Sequence, residues 1–315
     1  MLPLRSMQER YTLLEELGRG SMAKCFKARG PSGEVVVKVD DSPETGVEAH
    51  FQRMCAGEHV LRILDTWTSP FYHVLVLPIC RSSLHRYMSS CGRIDEDVAY
   101  NFCLQIAEGM AHIHSFGILH RDLHTGNVLV GSSMDPEGPP PLFIADFGRA
   151  TDMPVVDERL TLYPVELRPP ELLFVGSRVV RGAWAQNGKP DYSTPADVWA
   201  MGCMWVTIFS GSGPLKRMDA INELSCACRM VEVFGPPDLI FASQRKWTFF
   251  DRDYEMQWKY RTNAKKTGTP VSLDVPSSIF EYALAALRWN AERRPSAKTL
   301  AKQAFTGTEG VDVVL

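Results

Sequence analysis

The sequence lacks an apolar run long enough to cross a membrane. Its longest nearly apolar stretch, VWAMGCMWVTIF at residues 198–209, is well short of the ~20 residues that a membrane-spanning helix needs. This stretch therefore predicts a buried helix, and we expect no membrane insertion. The first ten residues also lack the apolar core of a secretory signal, which predicts an intracellular protein of the cytoplasm, the nucleus or both.

The sequence also has neither a metal-binding cysteine pattern nor a strong excess of one charge. Its 8 cysteines form no Cys-x-x-Cys pair and have no histidine partners at the spacing of a zinc site, which predicts reduced, structural thiols. The net charge of −3 provides no basic excess for nucleic acid or for a membrane surface. We therefore expect no nucleic-acid partner.

The composition is that of a globular protein with room for two lobes: 315 residues, of which 45% are apolar and 23% charged. Residues 11–39 and 71–80 read as β-strands separated by glycine turns, and residues 46–55 read as one helix. Beyond Cys80 the pattern is mostly helical, most clearly at residues 95–117 and 278–289. These patterns predict an α+β protein with a β-rich N-terminal lobe at residues 1–79 and a mostly α-helical C-terminal lobe at residues 80–315.

Two short motifs suggest phosphoryl-transfer chemistry. In GILHRDLHTGNVLVG, residues 117–131, apolar segments flank a polar loop, which predicts a loop held between short buried strands. Asp122 and Asn127 lie five positions apart, as in a loop that offers a carboxylate to an acceptor hydroxyl and an amide oxygen to Mg²⁺. Asp146 follows an apolar run and precedes Phe-Gly, a setting suited to presenting a carboxylate to a hard cation.

Two further features are weaker by themselves. Gly18 and Gly20 lie in a strand-turn-strand pattern where backbone amides can approach phosphate, although an ordinary hairpin turn explains them equally well. Lys38 lies within an apolar strand and needs an anionic partner if it is buried, unless it extends to solvent at a strand edge. The glycine turn, the lysine, the His-Arg-Asp loop and Asp-Phe-Gly occur in this order within ~130 residues, which makes coincidence improbable.

In this order the motifs resemble those of eukaryotic protein kinases over nearly the whole length. The stretches HVLVLPICRSSLHRYM and LRPPELLFVG are most similar to the cyclin-dependent and mitogen-activated kinase (CMGC) group. The resemblance implies a bilobal kinase fold that uses ATP and Mg²⁺ to phosphorylate serine or threonine of protein substrates. Arg168 matches an arginine associated in that group with a preference for proline after the acceptor.

The resemblance also implies individual roles. Asp122, Lys38, Asn127 and His124 would be catalytic, and Asn127 and Asp146 would bind the metal. Glu48 would pair with Lys38, with Glu58 as the rival. The positions implied to bind the nucleotide are Leu17, Gly18, Arg19, Gly20, Ser21, Ala23, Cys25, Val36, Lys38, Glu48, Leu77, Pro78, Cys80, Leu129 and Asp146. Scaffold roles are implied for a pair between Glu171 and Arg294 and for Asp197, which would hold the backbone of the catalytic loop.

The sequence departs from the family pattern in the nucleotide and phosphate regions. Ala23 replaces the third glycine of the loop, and Val36 replaces the small alanine above the adenine. His124 stands where most serine/threonine kinases have a lysine, so a weaker, pH-dependent cation would lie near the phosphate. These departures support the alternative of a pseudokinase that binds nucleotide or acts as a scaffold.

Two more departures concern regulation. The connection from Lys38 to Glu48 is short and does not support a cyclin, although another regulatory protein partner is compatible with the sequence. Pro164 replaces the threonine that normally faces the catalytic aspartate. Asp157 and Glu158 suggest the hypothesis that one of them pairs with Arg121 in place of a phosphothreonine, the alternative being two solvated surface charges.

Overall fold

The computed structural model describes residues 10–19, 23–40, 46–69, 72–133, 138–152, 163–173, 193–215, 223–235, 237 and 276–303. The predictions for Gly20, Ser21, Asp157 and Glu158 lie outside these residues.

The first part of the chain forms a five-stranded antiparallel sheet with the order β1-β2-β3-β5-β4. Its strands are β1 (Thr12–Arg19), β2 (Ala23–Gly30), β3 (Gly33–Asp40), β4 (Asp65–Thr68) and β5 (His73–Pro78). Side chains alternate across β3, so Val35 and Val37 enter one apolar cluster while Val36 packs against another on the opposite face. Lys38 is two residues after Val36 and therefore lies on the same face of the sheet.

Helix α1 (Val47–Met54) packs beside this sheet. Its Ala49 joins Leu61, Leu75, Leu77 and Ala145 in the apolar cluster on the Val36 face. Glu48, next to Ala49, is buried with an exposed fraction of 5%. The helix therefore places one carboxylate on the same side of the sheet as Lys38.

The rest of the described chain is mainly helical. The helices are α2 (Leu84–Cys91), α3 (Glu96–Ser115), α4 (Thr194–Ser210), α5 (Glu223–Phe234), α6 (Ser277–Ala286) and α7 (Ala297–Gln303). Most of α4 is buried, as its apolar sequence predicts, because a helix that is apolar on all sides requires protein around it. Helix α3 ends just before Gly117, whose φ of +70° lies in the left-handed region that favours glycine.

Five short strands surround the polar loop of residues 120–127. β6 (Ser82–Ser83), β8 (Val128–Val130) and β9 (Leu142–Ile144) form one sheet, and β7 (Ile118–Leu119) pairs with β10 (Thr151–Asp152). The loop thus lies between β7 and β8, whose side chains are largely buried. The predicted arrangement of a polar loop between short buried strands is confirmed.

The predicted α+β class, with a β-rich first part and a helical second part, is confirmed. The boundary between residues 79 and 80 stays a prediction. All eight cysteines are free thiols, and among the described residues no helix is both long and apolar enough to span a membrane.

Candidate active site

The Lys38 side chain joins two carboxylates from distant parts of the chain. Its Nζ donates to Glu48 Oε1 at 2.8 Å and to Asp146 Oδ1 at 2.9 Å. Glu48 comes from α1, whereas Asp146 lies 108 positions further along the sequence. The rival partner, Glu58, is exposed. Strand β3, helix α1 and the segment after β9 therefore meet at one ammonium group.

The electrostatics of this triad favour a charged lysine. Burial works to lower the pKa of Lys38, but the carboxylates of Glu48 and Asp146 outweigh burial and raise the pKa above its ordinary value. Burial also works to raise the pKa of Asp146, and the Lys38 ammonium outweighs it and holds that pKa below its usual range. At neutral pH the site therefore presents a lysine cation next to an ionised Asp146.

The backbone of Asp146 is strained in a way that fixes its direction. Its φ of 65° lies in the left-handed region, which is unusual for a residue with a side chain. Phe147, the next residue, is fully buried and contacts the ring of His120 at 5.0 Å between centroids. The Ala145 amide donates to the Asn127 carbonyl at 2.9 Å, which connects the two polar segments. Burial of Phe147 and this connection hold the strained aspartate in place.

Within the polar loop, the side chain of Asn127 holds Asp122 in place. The Asn127 Nδ2 donates to the Asp122 carbonyl at 2.9 Å and to its Oδ2 at 3.3 Å. Because the amide nitrogen faces Asp122, the amide oxygen is the atom available to a cation. The side chains of Asp122 and Asn127 are thus oriented by one another.

Asp197 of α4 binds the backbone of this loop. Its Oδ2 accepts from the His120 amide at 2.9 Å and its Oδ1 from the Arg121 amide at 3.0 Å. His114 Nε2 lies 3.1 Å from Oδ2, and the Tyr163 hydroxyl donates to Oδ1 at 2.5 Å. Burial works to raise the pKa of Asp197, but these hydrogen bonds and the neighbouring histidines lower it to about 2. A permanently charged carboxylate thus orients the loop.

A second buried ion pair supports the region after the loop. Arg294 donates from Nη1 and Nη2 to the two oxygens of Glu171, both at 2.6 Å, in a bidentate geometry. Both side chains are almost fully buried, and the Arg294 guanidinium stacks over Trp199 at 5.0 Å. The residues implied by resemblance as scaffold are therefore in contact.

Comparison with known proteins identifies the family. The sequence model of the family described as "Protein kinase domain" matches residues 11–306. The chain belongs to the protein kinase family. The Lys38–Glu48 pair, the polar loop of residues 120–127 and the segment around Asp146 therefore lie in a kinase domain.

Several curated relatives of this kinase domain bear the same name. Over 249 residues it is 29% identical to "Serine/threonine-protein kinase PLK4" of Drosophila ananassae, and 28% identical to the proteins of the same name from Drosophila sechellia and Drosophila melanogaster. The alignments cover 75% of this chain but only 30% of each relative, so the chain matches less than a third of their length. These relatives are polo-like kinases, and the predicted similarity to the CMGC group is unconfirmed.

The structure brings several of the implied nucleotide positions together. Val36 pairs with Leu77 across β3 and β5, and both pack in one cluster with Cys80 and Leu129. Cys25 pairs with Lys38 across β2 and β3, and burial raises the pKa of its thiol. The remaining described positions of that set lie in the same five-stranded sheet: Leu17, Gly18 and Arg19 in β1, Ala23 in β2 and Pro78 in β5.

The donor set of this kinase domain fits a magnesium ion. Asp146 supplies an ionised carboxylate and Asn127 an amide oxygen, both hard ligands of the kind that Mg²⁺ prefers. The described residues contain no cluster of three or more His, Cys, Asp or Glu that could hold a metal ion by itself. Asp146 and Asn127 are the described residues that would hold a magnesium ion.

Sequence reasoning missed two side chains, one that contacts the loop and one that contacts the aspartate holding it. Tyr163 places its hydroxyl on Asp197, and Arg149 places Nη1 at 3.4 Å from Asp122 Oδ1. Neither has a local sequence signal, because each partner lies 27 or more positions away. The only available hint was that Pro164, next to Tyr163, lacks the hydroxyl that the family normally has there.

Proposed function

We propose that this chain is a protein kinase that transfers the γ-phosphoryl group of ATP to serine or threonine of protein substrates. One observation carries the proposal: the buried Lys38 ammonium bridges Glu48 and Asp146 at 2.8 and 2.9 Å. A buried ion pair is costly to build, and hydrophobic residues would fill the same volume at no loss of stability. Three charged groups converging beside the apolar cluster of Val36, Leu77 and Leu129 are therefore better explained by chemistry than by folding.

The residues divide the work as follows. Lys38, held by Glu48, binds and orients the α- and β-phosphates, and the described part of the glycine turn, Gly18 and Ala23, borders them. Val36, Leu77 and Leu129 line the adenine site. Catalysis by such a site is mainly alignment and charge neutralisation.

Asp122 orients the acceptor. The acceptor oxygen forms a bond to the γ-phosphorus while the bond from that phosphorus to the bridging oxygen of ADP breaks. The hydroxyl proton passes to the Asp122 carboxylate, which Asn127 holds through its Oδ2. When bound at Asp146 and Asn127, Mg²⁺ would supply neutralisation of the phosphate charge.

The finer parts of the proposal concern specificity. Serine/threonine preference is supported by the relatives, which are named serine/threonine-protein kinases. A preference for proline after the acceptor is supported by Arg168, whose Nη2 donates to the Tyr163 carbonyl at 3.2 Å. The same arginine pairs with Glu223 at 2.6 Å, which keeps it beside Tyr163.

The test is phosphate transfer from labelled ATP with Mg²⁺ to myelin basic protein and to peptides. The peptides carry serine, threonine or tyrosine, each with and without proline after the acceptor. Asp146→Asn is the blank, and Asp97→Asn, an exposed aspartate of α3, is the matched control. We expect the wild type and Asp97→Asn to transfer phosphate equally and Asp146→Asn to lose at least ~100-fold.

Each outcome assigns the protein to a class. Transfer that depends on Asp146 establishes the kinase, and the peptides then decide the serine/threonine and proline questions. A folded wild type that transfers no more phosphate than Asp146→Asn would overturn the proposal in favour of a pseudokinase scaffold. A rise in melting temperature with ATP and Mg²⁺ would then distinguish a nucleotide-binding scaffold from one that binds no nucleotide.

A further inference from the structure

Arg149 connects the segment after β9 with the polar loop of residues 120–127, at the carboxylate of Asp122. It lies three residues after Asp146, at the end of the short 3₁₀ helix Phe147–Arg149. Its Nη1 is 3.4 Å from Asp122 Oδ1, and its backbone carbonyl accepts from the Arg121 Nε at 2.7 Å. The backbone of Arg149 is thus tied to the catalytic loop while its guanidinium faces the carboxylate of that loop.

The two oxygens of Asp122 are contacted from opposite segments. Asn127, from the same loop, donates to Oδ2, and Arg149, from the segment after Asp146, contacts Oδ1. A carboxylate oxygen has lone pairs for more than one donor, so these contacts leave room for an acceptor hydroxyl. Two donors on different oxygens restrict rotation of the carboxylate, and this restriction favours one orientation toward the acceptor.

His124 does not provide a comparable cation. Its Nδ1 accepts a hydrogen bond from the Gly126 amide at 3.0 Å, so that nitrogen carries no proton. Its Nε2 lies 4.0 Å from Asp122 Oδ1, beyond hydrogen-bond distance. The hydrogen bond at Nδ1 and the distance of Nε2 therefore leave the ring without a hydrogen bond to the Asp122 carboxylate.

Close packing at Gly126 supports this position of the His124 ring. A Cβ added at Gly126 would lie 2.7 Å from Cε1 and 2.8 Å from Nδ1 of the His124 ring. Only glycine therefore lets the ring lie against the Gly126 amide and keep Nδ1 as an acceptor.

We propose that Arg149 is a positioning residue that supplies Asp122 with its permanent positive neighbour, in place of a cation at position 124. The arginine guanidinium brings its charge to 3.4 Å from Asp122 Oδ1, whereas His124 Nε2 lies 4.0 Å from the same oxygen. The proposal rests on the proposed kinase function, because it concerns the group that orients the acceptor hydroxyl.

A different role for the same contact has the opposite consequence. If the guanidinium occupied Asp122 and kept the acceptor away, removal of its charge would raise the rate. The half-exposed Arg149 side chain, with 45% of its surface accessible, allows either role sterically. The sign of the change in kcat therefore decides between positioning and blocking.

The experiment compares kcat and KM for ATP and for an acceptor peptide in five proteins besides the wild type. These are Arg149→Gln, Arg149→Lys, His124→Lys, the double variant His124→Lys/Arg149→Gln, and Arg86→Gln as an exposed arginine control on α2. We expect Arg149→Gln to lower kcat about 100-fold and to leave the KM for ATP within about twofold. Arg149→Lys should retain most of the rate. In the double variant, His124→Lys should raise kcat at least tenfold above that of Arg149→Gln alone, roughly the contribution of one positioned charge.

The outcomes separate this inference from the proposed function. Transfer by the wild type but not by Asp146→Asn, with an unchanged kcat in Arg149→Gln, would overturn the inference alone. An increase in kcat in Arg149→Gln, or a loss that neither lysine variant repairs, would overturn it too. A wild type without transfer would end both the proposed function and this inference. Melting temperatures of all variants, compared with Arg86→Gln, exclude unfolding as the cause of a loss.

Discussion

The Tyr163 hydroxyl donates a 2.5 Å hydrogen bond to Oδ1 of Asp197, 34 positions away in the sequence. Both side chains are buried, and Asp197 also accepts from the backbone amides of His120 and Arg121. Tyr163 and the polar loop of residues 120–127 are therefore joined through one carboxylate. Pro164 has no hydroxyl to face Asp122, whereas the hydroxyl of the neighbouring Tyr163 contacts Asp197 instead.

Tyr163→Phe should destabilise the protein without changing its fold. We expect the free energy of unfolding to fall by ~1–3 kcal/mol, because a buried carboxylate oxygen loses one of its donors. Urea unfolding at pH 7 measures the change. The matched control is Tyr282→Phe, which removes a hydroxyl that donates to the exposed Gln303 carbonyl at 3.2 Å. Equal losses in the two variants would contradict a special role for Tyr163.

Glu48→Gln should reduce phosphate transfer more than Glu58→Gln. The substitution replaces a charge-assisted hydrogen bond on Lys38 by a neutral one, a loss of ~1.5–3 kcal/mol that corresponds to about a 10- to 100-fold lower kcat/KM for ATP. Glu58 is exposed, and its change should leave the rate within about twofold. Steady-state kinetics of both variants check this, and similar losses would mean that Lys38 does not depend on Glu48.

Stability should fall in mild acid because of His73. The Thr66 hydroxyl donates to the Val74 carbonyl at 2.8 Å, so it accepts from His73 Nε2–H at 3.1 Å. Nδ1 then accepts from the Thr68 hydroxyl at 2.8 Å, and the neutral ring is fully paired. Burial lowers the pKa of His73, with Asp40 opposing and Arg53 adding to the shift.

The sign of this pH dependence follows from the lowered pKa. The unfolded chain takes up a proton on the histidine near pH ~6.5, whereas the folded protein does so only at lower pH. The stabilisation is therefore complete above ~6.5 and is lost as the pH falls through the folded pKa. Urea titrations at several pH values should show a smaller pH dependence for His73→Gln than for the wild type. The exposed control His85→Gln should follow the wild type, and a wild-type slope in His73→Gln would refute the assignment.

Val36→Ala should strengthen nucleotide binding. Val36 pairs with Leu77 and packs on the face of β3 that carries Lys38, so its two extra methyl groups occupy space above the implied adenine site. Removing them should lower the Kd for ADP with Mg²⁺ by about 5- to 10-fold by relief of crowding. Calorimetry measures the change, with Val39→Ala on the opposite face as the control. A weaker or unchanged affinity would mean that the pocket already accommodates valine.

Local patterns were sufficient for much of the fold. The period of two in β3 placed Lys38 and Val36 on one face, and the apolar stretch at residues 198–209 predicted the buried helix α4. The HRD loop and Asp146 carry their signals within a few residues of one another, so both motifs were visible without coordinates. The choice of Glu48 over Glu58 depended on resemblance, because either glutamate is close enough to Lys38 along the chain.

The sequence by itself determined the fold class, the family and the order of the charged motifs, because periodicity and short motifs are properties of neighbouring residues. Only the tertiary structure decided that Arg149 contacts Asp122 and that Tyr163 reaches Asp197. It also decided the position of the His124 ring, whose Nδ1 accepts from the Gly126 amide while Nε2 lies 4.0 Å from Asp122 Oδ1. Contacts of this kind depend on how distant segments pack, and close packing leaves no trace in local sequence.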